Sequence, residues 1–555
     1  LQQFQVLRSG CDSHNRHASY LPFSNLLRNW LNVLETDTQL QIAQKLRDRI
    51  RVYGDVLTAS LSAFHFLLDL PIQNKSWNSL EPVQKRQQAR DAFRTLLGII
   101  ADACPLVIVL EDLHWIDAES QTLLEQIAEV VNDHPLFLIV TFRPEYQSPW
   151  LENNAVIIEL NPFTAHESND YLQGVLGTDP GIVPLCDEIS VRCEGNPLYI
   201  EEMIHHLMDS NLIWGGPGKY SSTLATLPKS LPLTIHSVIA TRIDRRSKLA
   251  KNILQAASAV GQRFSSVLLD YITDIPRDYA KRAIDELIES GLIVSLGDSP
   301  TDDFEFKHAL VHQVTYDTIP RERKRLTHAS LVNAMESLYK ERLEEHIYRL
   351  AEHAYLGQYW HKAVEYYLKS CYHAIGRSSH QQAVLLLDRG LEALRHLPLN
   401  NDTLGQRIDF LAVGMNALIP LGEQDRLVRD LREAEKLCDA VGEPRRTCSI
   451  LCQLSNALWM VGEHPEALDA SLRAVALTHE IDHTPLRIAA NYNLAMVHHA
   501  MGNFDDCIAL EKTIVSALSG DMEVSRLGWT GYPSVFCRTF YGNSLVELGR
   551  LAEAK

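Results

Sequence analysis

One apolar run that ends in two carboxylates constrains the fold of this chain more than any other feature. Residues 105–117 read PLVIVLEDLHWID, and the apolar stretch from Leu106 to Leu110 is followed directly by Glu111 and Asp112. A short apolar run with β-branched residues is typical of a strand buried on both faces of a parallel sheet. Acidic residues at the carboxyl end of such a strand lie where open α/β sheets bind ligands. The sequence therefore predicts an α/β domain with a ligand site at this position.

A second apolar run follows and ends in a basic residue. It reads PLFLIVTFRPE over residues 135–145 and contains Arg143. Because neighbouring parallel strands end at the same edge of a sheet, we expect Arg143 to face the crevice of Glu111 and Asp112 and to bind phosphate oxygens there. VIIEL at 156–160 is predicted to be a further strand. Strands separated by helical stretches indicate a parallel α/β sheet.

The charged residues after these strands have two explanations. Isolated charges often do no more than cap strand ends at the surface. In a nucleotide site, by contrast, one carboxylate holds Mg²⁺ and the other orients water. Two neighbouring strands that both end in charged residues favour the nucleotide site. Glu111 is then the residue on the metal side, Asp112 the residue on the water side, and Arg143 the cation on the phosphates.

The glycine-rich loop that usually cradles phosphates does not occur in these 555 residues. No G-x-x-x-x-G-K-[ST] is present, and the Gly-Lys pair inside WGGPGKYSS (214–222), which is predicted to be a hairpin turn, lacks the required spacing. FQVL at 4–7 is predicted to be a strand that leaves into a loop. The first residue is Leu, and the last lies inside a repeat. We therefore expect a fragment of a longer protein that by itself binds nucleotide poorly and is inactive.

Composition and charge narrow the class of protein. The content of 46% hydrophobic and 22% charged residues is that of an ordinary folded protein, and the apolar runs are too short to span a membrane. A net charge of −18 argues against non-specific binding of nucleic acid. The ten cysteines include no CxxC pair, and scattered thiols fit a reducing, cytoplasmic compartment.

The middle of the chain is predicted to be mostly helical. Residues 161–224 form a small helical bundle in this interpretation. Helices are predicted at 234–260 and 278–290, and residues 291–308 read as a β-hairpin. Helices followed by a hairpin predict a winged-helix domain over residues 225–340.

From residue 341 to 555 the sequence predicts an α-solenoid of helix pairs. Gly422, Gly462 and Gly502 are 40 residues apart, and Gly549 follows 47 residues later. Each glycine precedes the turn to a second helix, and the pattern is similar to tetratricopeptide repeats with lengthened helices. The surface of such repeats is the expected docking site for a protein partner.

Taken together, these segments resemble a STAND-class NTPase, the signal-transduction branch of the AAA+ superfamily. EDLHWID and TFRPE resemble the second half of its core. EGNPLYIEEMI (194–204) resembles its helical lid, in which a Gly-x-Pro contacts the nucleotide, so that Pro197 is the matching position. LPLTIHSVIATRIDRR, AASAVGQRFS and FEFKHALVHQVTYDTIPRERKRLTH (304–328) resemble its winged-helix domain.

The resemblance implies four regions and two cofactors. Residues 1–160 would be a partial P-loop-type NTPase core with the Walker B motif but without Walker A. The lid (161–224), the winged helix (225–340) and truncated repeats (341–555) would follow. ATP and Mg²⁺ are the implied cofactors, with Glu111, Asp112, Arg143 and Pro197 at the nucleotide and the two carboxylates at the metal. Glu111 stands where these ATPases more often have Asp, so the metal role is shared with Asp112.

The combination is most similar to the C-terminal regions of soluble-type class III adenylate cyclases. It implies an ATP-binding switch that regulates an attached effector, an adenylate or guanylate cyclase located before Leu1, or a protein kinase in its place. An oligomer in the nucleotide-bound state is a further expectation. Two alternatives stay open: an ATP-dependent transcriptional regulator with a DNA-binding domain after Lys555, and a repeat scaffold with a degenerate ATPase. Whether ATP is hydrolysed also stays open.

Overall fold

The structure is a computed structural model of the chain. A small α/β unit comes first, and the remainder is almost entirely helical, as the sequence predicts. The described residues are 4–11, 19–34, 37–224, 226–228, 231–273, 275–296, 303–340, 342–518, 523 and 532–554.

Three parallel strands form the sheet of the α/β unit, namely β1 (Gln5–Gly10), β2 (Leu106–Glu111) and β3 (Leu136–Val140), in the order β1-β2-β3. Leu106, Ile108 and Leu110 point into the core, whereas the alternate residues of β2 are only half-buried. The expectation that this strand is buried on both faces is therefore wrong. In the described part of the chain the helices cover one face, and the other leaves Phe137 64% exposed.

The helices of this unit carry the apolar side chains that cover the inner face of the sheet, including Phe23, Phe64 and Phe93. Local sequence explains several of their ends. Thr38 and Asn74 accept hydrogen bonds from free backbone N–H groups in first turns, as N-cap residues do. The helices are α1 (Leu21–Trp30), α2 (Gln39–Arg51), α3 (Asp55–Ala59), α4 (Leu61–Leu68), α5 (Lys75–Ser79), α6 (Pro82–Ala103), α7 (Ala118–Val130) and α8 (Pro149–Asn154).

The strand predicted at residues 156–160 does not form. These residues have no ladder partner in the described structure, and Val156 and Leu160 are each 91% exposed. A strand needs a neighbour for its backbone N–H and C=O groups. An apolar pattern identifies a segment suited to a sheet, but it cannot supply that neighbour.

A helical unit and a hairpin follow, consisting of α9 (Ala165–Leu176), α10 (Val183–Cys193), α11 (Pro197–Asp209), β4 (Trp214–Gly216) and β5 (Lys219–Ser221). The two strands pair antiparallel, which confirms the predicted hairpin at 214–222. This unit has an apolar cluster of its own, centred on residues such as Ile189, Ile200 and Leu207.

The next region combines helices with a small antiparallel sheet of order β6-β8-β7. The predicted helix at 234–260 is interrupted before Lys248, whereas the helix predicted at 278–290 is present. The two hairpin strands are joined by a third, β6, and residues 297–302 lie outside the described residues. Assignment of this region as a winged-helix domain stays a prediction. Its elements are α12 (Ile235–Asp244), α13 (Lys248–Val260), β6 (Arg263–Ser265), α14 (Ser266–Ile272), α15 (Arg277–Glu289), β7 (Ile293–Ser295), β8 (Asp303–Phe306), α16 (Ala309–Asp317) and α17 (Arg321–Leu338).

A stack of helices completes the chain, and consecutive helices pack against each other. Gly422, Gly462, Gly502 and Gly549 have φ between 74° and 85°, which explains why glycine occurs at these turns, because glycine adopts this left-handed conformation without strain. The helices are α18 (Ile347–Leu356), α19 (Trp360–Gly376), α20 (His380–Leu394), α21 (Asn401–Val413), α22 (Met415–Leu421), α23 (Gln424–Val441), α24 (Pro444–Met460), α25 (His464–Leu477), α26 (Thr484–Ala500), α27 (Phe504–Ala517), α28 (Pro533–Glu547) and α29 (Leu551–Ala554).

The apolar cores of these regions differ in how far they extend. One continuous cluster runs from α12 through the repeats as far as Val497, whereas the cluster of the α/β unit is separate from it. Among the described residues, no helix combines the length and the apolar character that crossing a membrane requires.

Candidate functional site

Glu111, the last residue of β2, is held by an arginine of the neighbouring strand. Arg8 Nε donates to Glu111 Oε2 over 3.0 Å, and Arg8 Nη2 donates to Oε1 over 2.8 Å. Gly10 lies opposite Glu111 in the parallel register, so Arg8, two residues earlier, points to the same face. The hydrogen bonds and the charge of Glu111 raise the pKa of Arg8. Both carboxylate oxygens of Glu111 therefore already accept charge-assisted hydrogen bonds.

Asp112 has a different environment. Its φ is 58°, a left-handed conformation that is uncommon for a residue other than glycine. Its backbone N–H donates to Thr141 Oγ1 over 3.0 Å, and the N–H of Leu113 donates to the carbonyl of Thr141 over 2.9 Å. The turn directs the Asp112 carboxylate outward, with 56% of the side chain exposed. Strained backbone held by its surroundings is a recurrent property of binding sites.

The loop after β3 brings Arg143 to the same edge of the sheet. Arg143 is exposed, and it lies close enough to His114 to influence its protonation. Burial lowers the pKa of His114, Arg143 lowers it further, and the charges of Asp112 and Glu145 oppose both effects. The structure thus gathers Asp112, Arg143 and His114 at the carboxyl end of β2 and β3.

His114 is the residue of this edge that sequence reasoning overlooked, together with Arg8 and Thr141. Its side chain is 10% exposed, and its Nδ1 lies 3.9 Å from Asp112 Oδ1. Within the described residues, neither ring nitrogen makes a hydrogen bond. Because buried polar groups in proteins are nearly always hydrogen-bonded, such a group beside an exposed carboxylate is notable. In the sequence, only the position of His114 two residues after Asp112 indicated that it could belong to the site.

Pro197 lies on another unit, as the first residue of α11. Asn196 caps this helix, since its Oδ1 accepts the Tyr199 N–H over 3.0 Å. Gly195 has a φ of 73°, and a Cβ there would lie 2.0 Å from the carbonyl oxygen of Phe163, so the loop fits only glycine. The nucleotide role of Pro197 stays a prediction, and so do the roles of Glu111, Asp112 and Arg143.

The oxygen groups of the site suit Mg²⁺ only in part. Carboxylate oxygens are its preferred protein ligands, and Mg²⁺ is usually bound by one or two carboxylates plus the phosphates of a substrate. Asp112 offers such a carboxylate, while both oxygens of Glu111 are bound by Arg8. In the described ranges, no cluster of three or more His, Cys, Asp or Glu could hold a metal by itself. The geometry therefore fits an ion that arrives with a nucleotide.

Comparison with known families identifies the part of the chain that contains β1–β3 and Asp112. Residues 1–140 match the AAA ATPase domain family, and the match thus ends just before Thr141 and Arg143. The matched segment is 140 of the 555 residues, so it assigns the N-terminal region and not the whole chain.

Two curated relatives match longer parts of the chain. An uncharacterised protein of Rhizobium meliloti is 24% identical over 344 residues, which are 60% of this chain and 32% of that protein. A peroxide stress-activated histidine kinase, mak3 of Schizosaccharomyces pombe, is 23% identical over 334 residues, which are 56% of this chain and 14% of the kinase. The matched region is thus about a third or less of the length of either relative.

Among solved structures, a STAND protein with a tetratricopeptide repeat sensor from Pyrococcus horikoshii matches the full length of this chain and 79% of its own, with 11% identity and a TM-score of 0.35. A kinesin-light-chain-like repeat protein of Podospora matches 35% of this chain and 90% of its own, with 14% identity and a TM-score of 0.30.

Proposed function

We propose that this chain is the regulatory part of an ATP-dependent signalling switch. The observation that supports it most is the exposed Asp112 carboxylate, held in a left-handed turn by Thr141 at the end of β2, in a region that matches an AAA ATPase domain. Arg143 extends from the neighbouring loop. In phosphoryl transfer the protein contributes mainly positioning and charge stabilisation, and these residue types serve both.

In this proposal the roles differ between the two carboxylates. Asp112 binds Mg²⁺ that accompanies the nucleotide, and it also orients water. Arg143 contacts phosphate oxygens through its guanidinium. Glu111 reaches the metal only if Arg8 releases it, so its metal role is secondary. The phosphate cradle is proposed to lie outside these 555 residues, because G-x-x-x-x-G-K-[ST] occurs nowhere in them.

The proposed lid is joined tightly to the region that follows it. Glu202 of α11 forms a buried ion pair with Arg242 of α12. Glu201, one residue earlier, pairs with Lys307 and lies 3.5 Å from His308. The neighbouring imidazoles of His205 and His308, together with Lys307, lower the pKa of Glu201. A nucleotide that moves α11 would therefore move residues 225–340 with it.

The effector and the partner are further parts of the proposal. An attached adenylate or guanylate cyclase rests on the sequence resemblance alone. The Schizosaccharomyces pombe relative is named a histidine kinase, which favours a kinase as the other candidate effector. The repeats after residue 341 would bind a protein partner, since stacked helix pairs present extended surfaces. An oligomer of this chain in the nucleotide-bound state is also part of the proposal, and it rests on the sequence resemblance alone.

Replacing Asp112 by asparagine tests the site. Asp112→Asn keeps the size of the side chain but removes the charge that Mg²⁺ requires. We expect affinity for Mg²⁺-ATP to fall at least about tenfold, or about 1.4 kcal/mol. The measurement is titration with a fluorescent ATP analogue, with and without EDTA, on a longer polypeptide that carries a phosphate loop ahead of these residues.

The 555-residue chain and an Asp170→Asn variant serve as the two controls. Asp170 is exposed on α9, so its replacement should leave binding unchanged. The 555-residue chain should bind only weakly. Unchanged Mg²⁺-dependent affinity in Asp112→Asn would remove Asp112 from the proposal. Absence of binding by the longer polypeptide would instead favour a repeat scaffold with a degenerate ATPase, for which the Glu111–Arg8 pair is the supporting observation.

A further inference from the structure

The turn between α19 and α20 of the repeats contacts the α/β unit. His373 Nε2 is 3.0 Å from both oxygens of Asp69, and Arg377 Nη1 donates to Asp69 Oδ1 over 3.3 Å. The Arg377 guanidinium also lies 4.9 Å from the ring centroid of Phe66. One carboxylate at the end of α4 thus binds two side chains from the end of α19.

The charges around Asp69 favour its ionised form. Burial raises its pKa, but the hydrogen bond with His373 and the charges of Arg377, His373 and Arg28 outweigh that effect and lower the pKa to about 2. The carboxylate is therefore charged at neutral pH and forms an ion pair with Arg377.

A second group of contacts lies beside the first. Arg86 of α6 donates to the backbone carbonyl of Ser378. The Ser19 hydroxyl is within hydrogen-bond distance of the Ser379 hydroxyl and donates to Gln382 Oε1 over 3.0 Å. These two groups together, residues 19, 69 and 86 on one side and 373–382 on the other, are called the latch below.

The latch differs in chemistry from the other junction of the repeats. Residues 225–340 share one continuous apolar cluster with the repeats. The apolar cluster of the α/β unit is separate, so this unit meets the repeats through hydrogen bonds and ion pairs. Water replaces such contacts at small net cost, whereas a shared apolar core does not part easily. The latch is consequently the junction that can open.

The backbone at the latch is strained on both sides. Tyr20, Asp69 and Ser378 have φ of 62°, 59° and 58°. Left-handed conformations of residues other than glycine cost free energy and persist where surrounding contacts impose them. At Asp69 and Ser378 this conformation belongs to the helix ends, where the Leu70 N–H donates to the His65 carbonyl and the Ser379 N–H donates to the Ala374 carbonyl.

The latch is also connected to the candidate site. Arg86, which binds Ser378, lies 3.5 Å from Glu119, and the Tyr20 hydroxyl donates to Glu119 over 3.0 Å. Glu119 is in the first turn of α7, where Asp117 accepts its N–H. The loop that starts at Asp112 ends at this helix.

We propose that the latch is a releasable contact between the repeats and the α/β unit, and that its state is transmitted through Arg86 and Glu119 to the first turn of α7 beside Asp112. Coupling to nucleotide rests on the proposed function, but the release of the latch does not. The latch lies near the end of the array that packs on residues 225–340 through α17 and α18, so a partner that displaces the repeats relative to the α/β unit would open it.

Hydrogen exchange on the complete 555-residue chain tests the latch. Asp69→Asn keeps the shape of the side chain and removes its charge, and Arg377→Met removes the guanidinium. We expect either variant to raise amide exchange at least about tenfold both at residues 61–70 and at 373–384, with a smaller increase at 118–124. The double variant should add little to either single variant, since one contact is lost in all three.

Glu365→Gln is the matched control, because it breaks an exposed ion pair with Lys369 on the same α19. It should leave exchange at 61–70 unchanged. Increases confined to the mutated side, or additive effects of the two substitutions, would refute the latch. Exchange changes at both sides without any at 118–124 would refute transmission to α7. No nucleotide is present in this experiment. A negative result would therefore refute the latch without bearing on the proposed nucleotide site.

Discussion

Replacing Arg242 by methionine is expected to destabilise the contact between α11 and α12 by about 3–5 kcal/mol. Arg242 is 1% exposed and pairs with Glu202, which is equally buried. Its Nη2 also donates to the carbonyl oxygen of Ser290, and its Nε lies 3.5 Å from Asp209. Methionine fills much of the same space but leaves the Glu202 carboxylate without its partner. The free energy of opening is measurable from amide exchange in α11 and α12.

A double variant separates two contributions to stability: the cost of leaving one buried charge unpaired, and the net stabilisation that the ion pair provides. In Arg242→Met with Glu202→Leu no buried charge is left, so we expect most of the loss to be recovered. Arg277→Met is the control, because Arg277 is 82% exposed and pairs with Asp270 at the surface, where ion pairs contribute little to stability. A loss below about 1 kcal/mol in Arg242→Met would contradict the assigned role.

The outcome also bears on the proposed switch. Pro197, the predicted nucleotide contact, begins the helix that carries Glu202. If the ion pair joins the lid to residues 225–340, its loss should let α11 move independently of them. Exchange that increases in α11 but not in α12 would indicate this uncoupling.

Glu511→Gln is expected to have the opposite effect and to stabilise the repeats at high pH. Glu511 is fully buried in α27, and within the described residues neither of its carboxylate oxygens has a hydrogen-bond partner. Burial raises its pKa from 4.5 to about 8, an effect that the nearby Cys537 thiol partly offsets. The folded chain therefore holds a proton that the unfolded chain has released above about pH 4.5.

The sign of the pH dependence follows from that difference. Stability should fall as pH rises from about 4.5 to 8 and then level off, with a penalty of up to about 5 kcal/mol. Glutamine has no proton to lose, so Glu511→Gln should match the parent protein near pH 4 and exceed it at pH 8. Amide exchange in α27 at several pH values measures the difference. Glu547→Gln, an exposed change on α28, should show no such trend, and a gain that does not vary with pH would exclude titration of Glu511.

Local patterns in the sequence were sufficient for several elements because neighbouring residues decide them. The strand at 106–111 and its acidic end are correct, and β3 lies beside it with Arg143 at the shared edge. The glycines at 422, 462 and 502 have the left-handed turns that their spacing indicates. In each case the signal is local: a run of apolar residues predicts a strand, and a glycine predicts the turn at which a helix ends.

Local sequence patterns could not predict contacts between residues that are far apart in the chain. Residues 156–160 have the composition of a strand but no neighbour to pair with, and Glu111 has an arginine 103 residues away on both oxygens. The contact with Arg8 leaves Asp112 as the open carboxylate, whereas the sequence analysis places Glu111 on the metal side and Asp112 on the water side. His114 became part of the site only when the loop after β3 placed Arg143 near it.

The sequence by itself determined that an α/β unit is followed by helices, which strand carries the acidic pair, and where the repeat glycines lie, because propensity and periodicity act over short distances. The tertiary structure alone decided which carboxylate faces solvent, which face of the sheet is covered, and where the repeats meet the α/β unit. Asp69 and His373 are 304 residues apart, and nothing in either local segment specifies the other. Such pairs form only when the packing of several helices has already positioned both side chains.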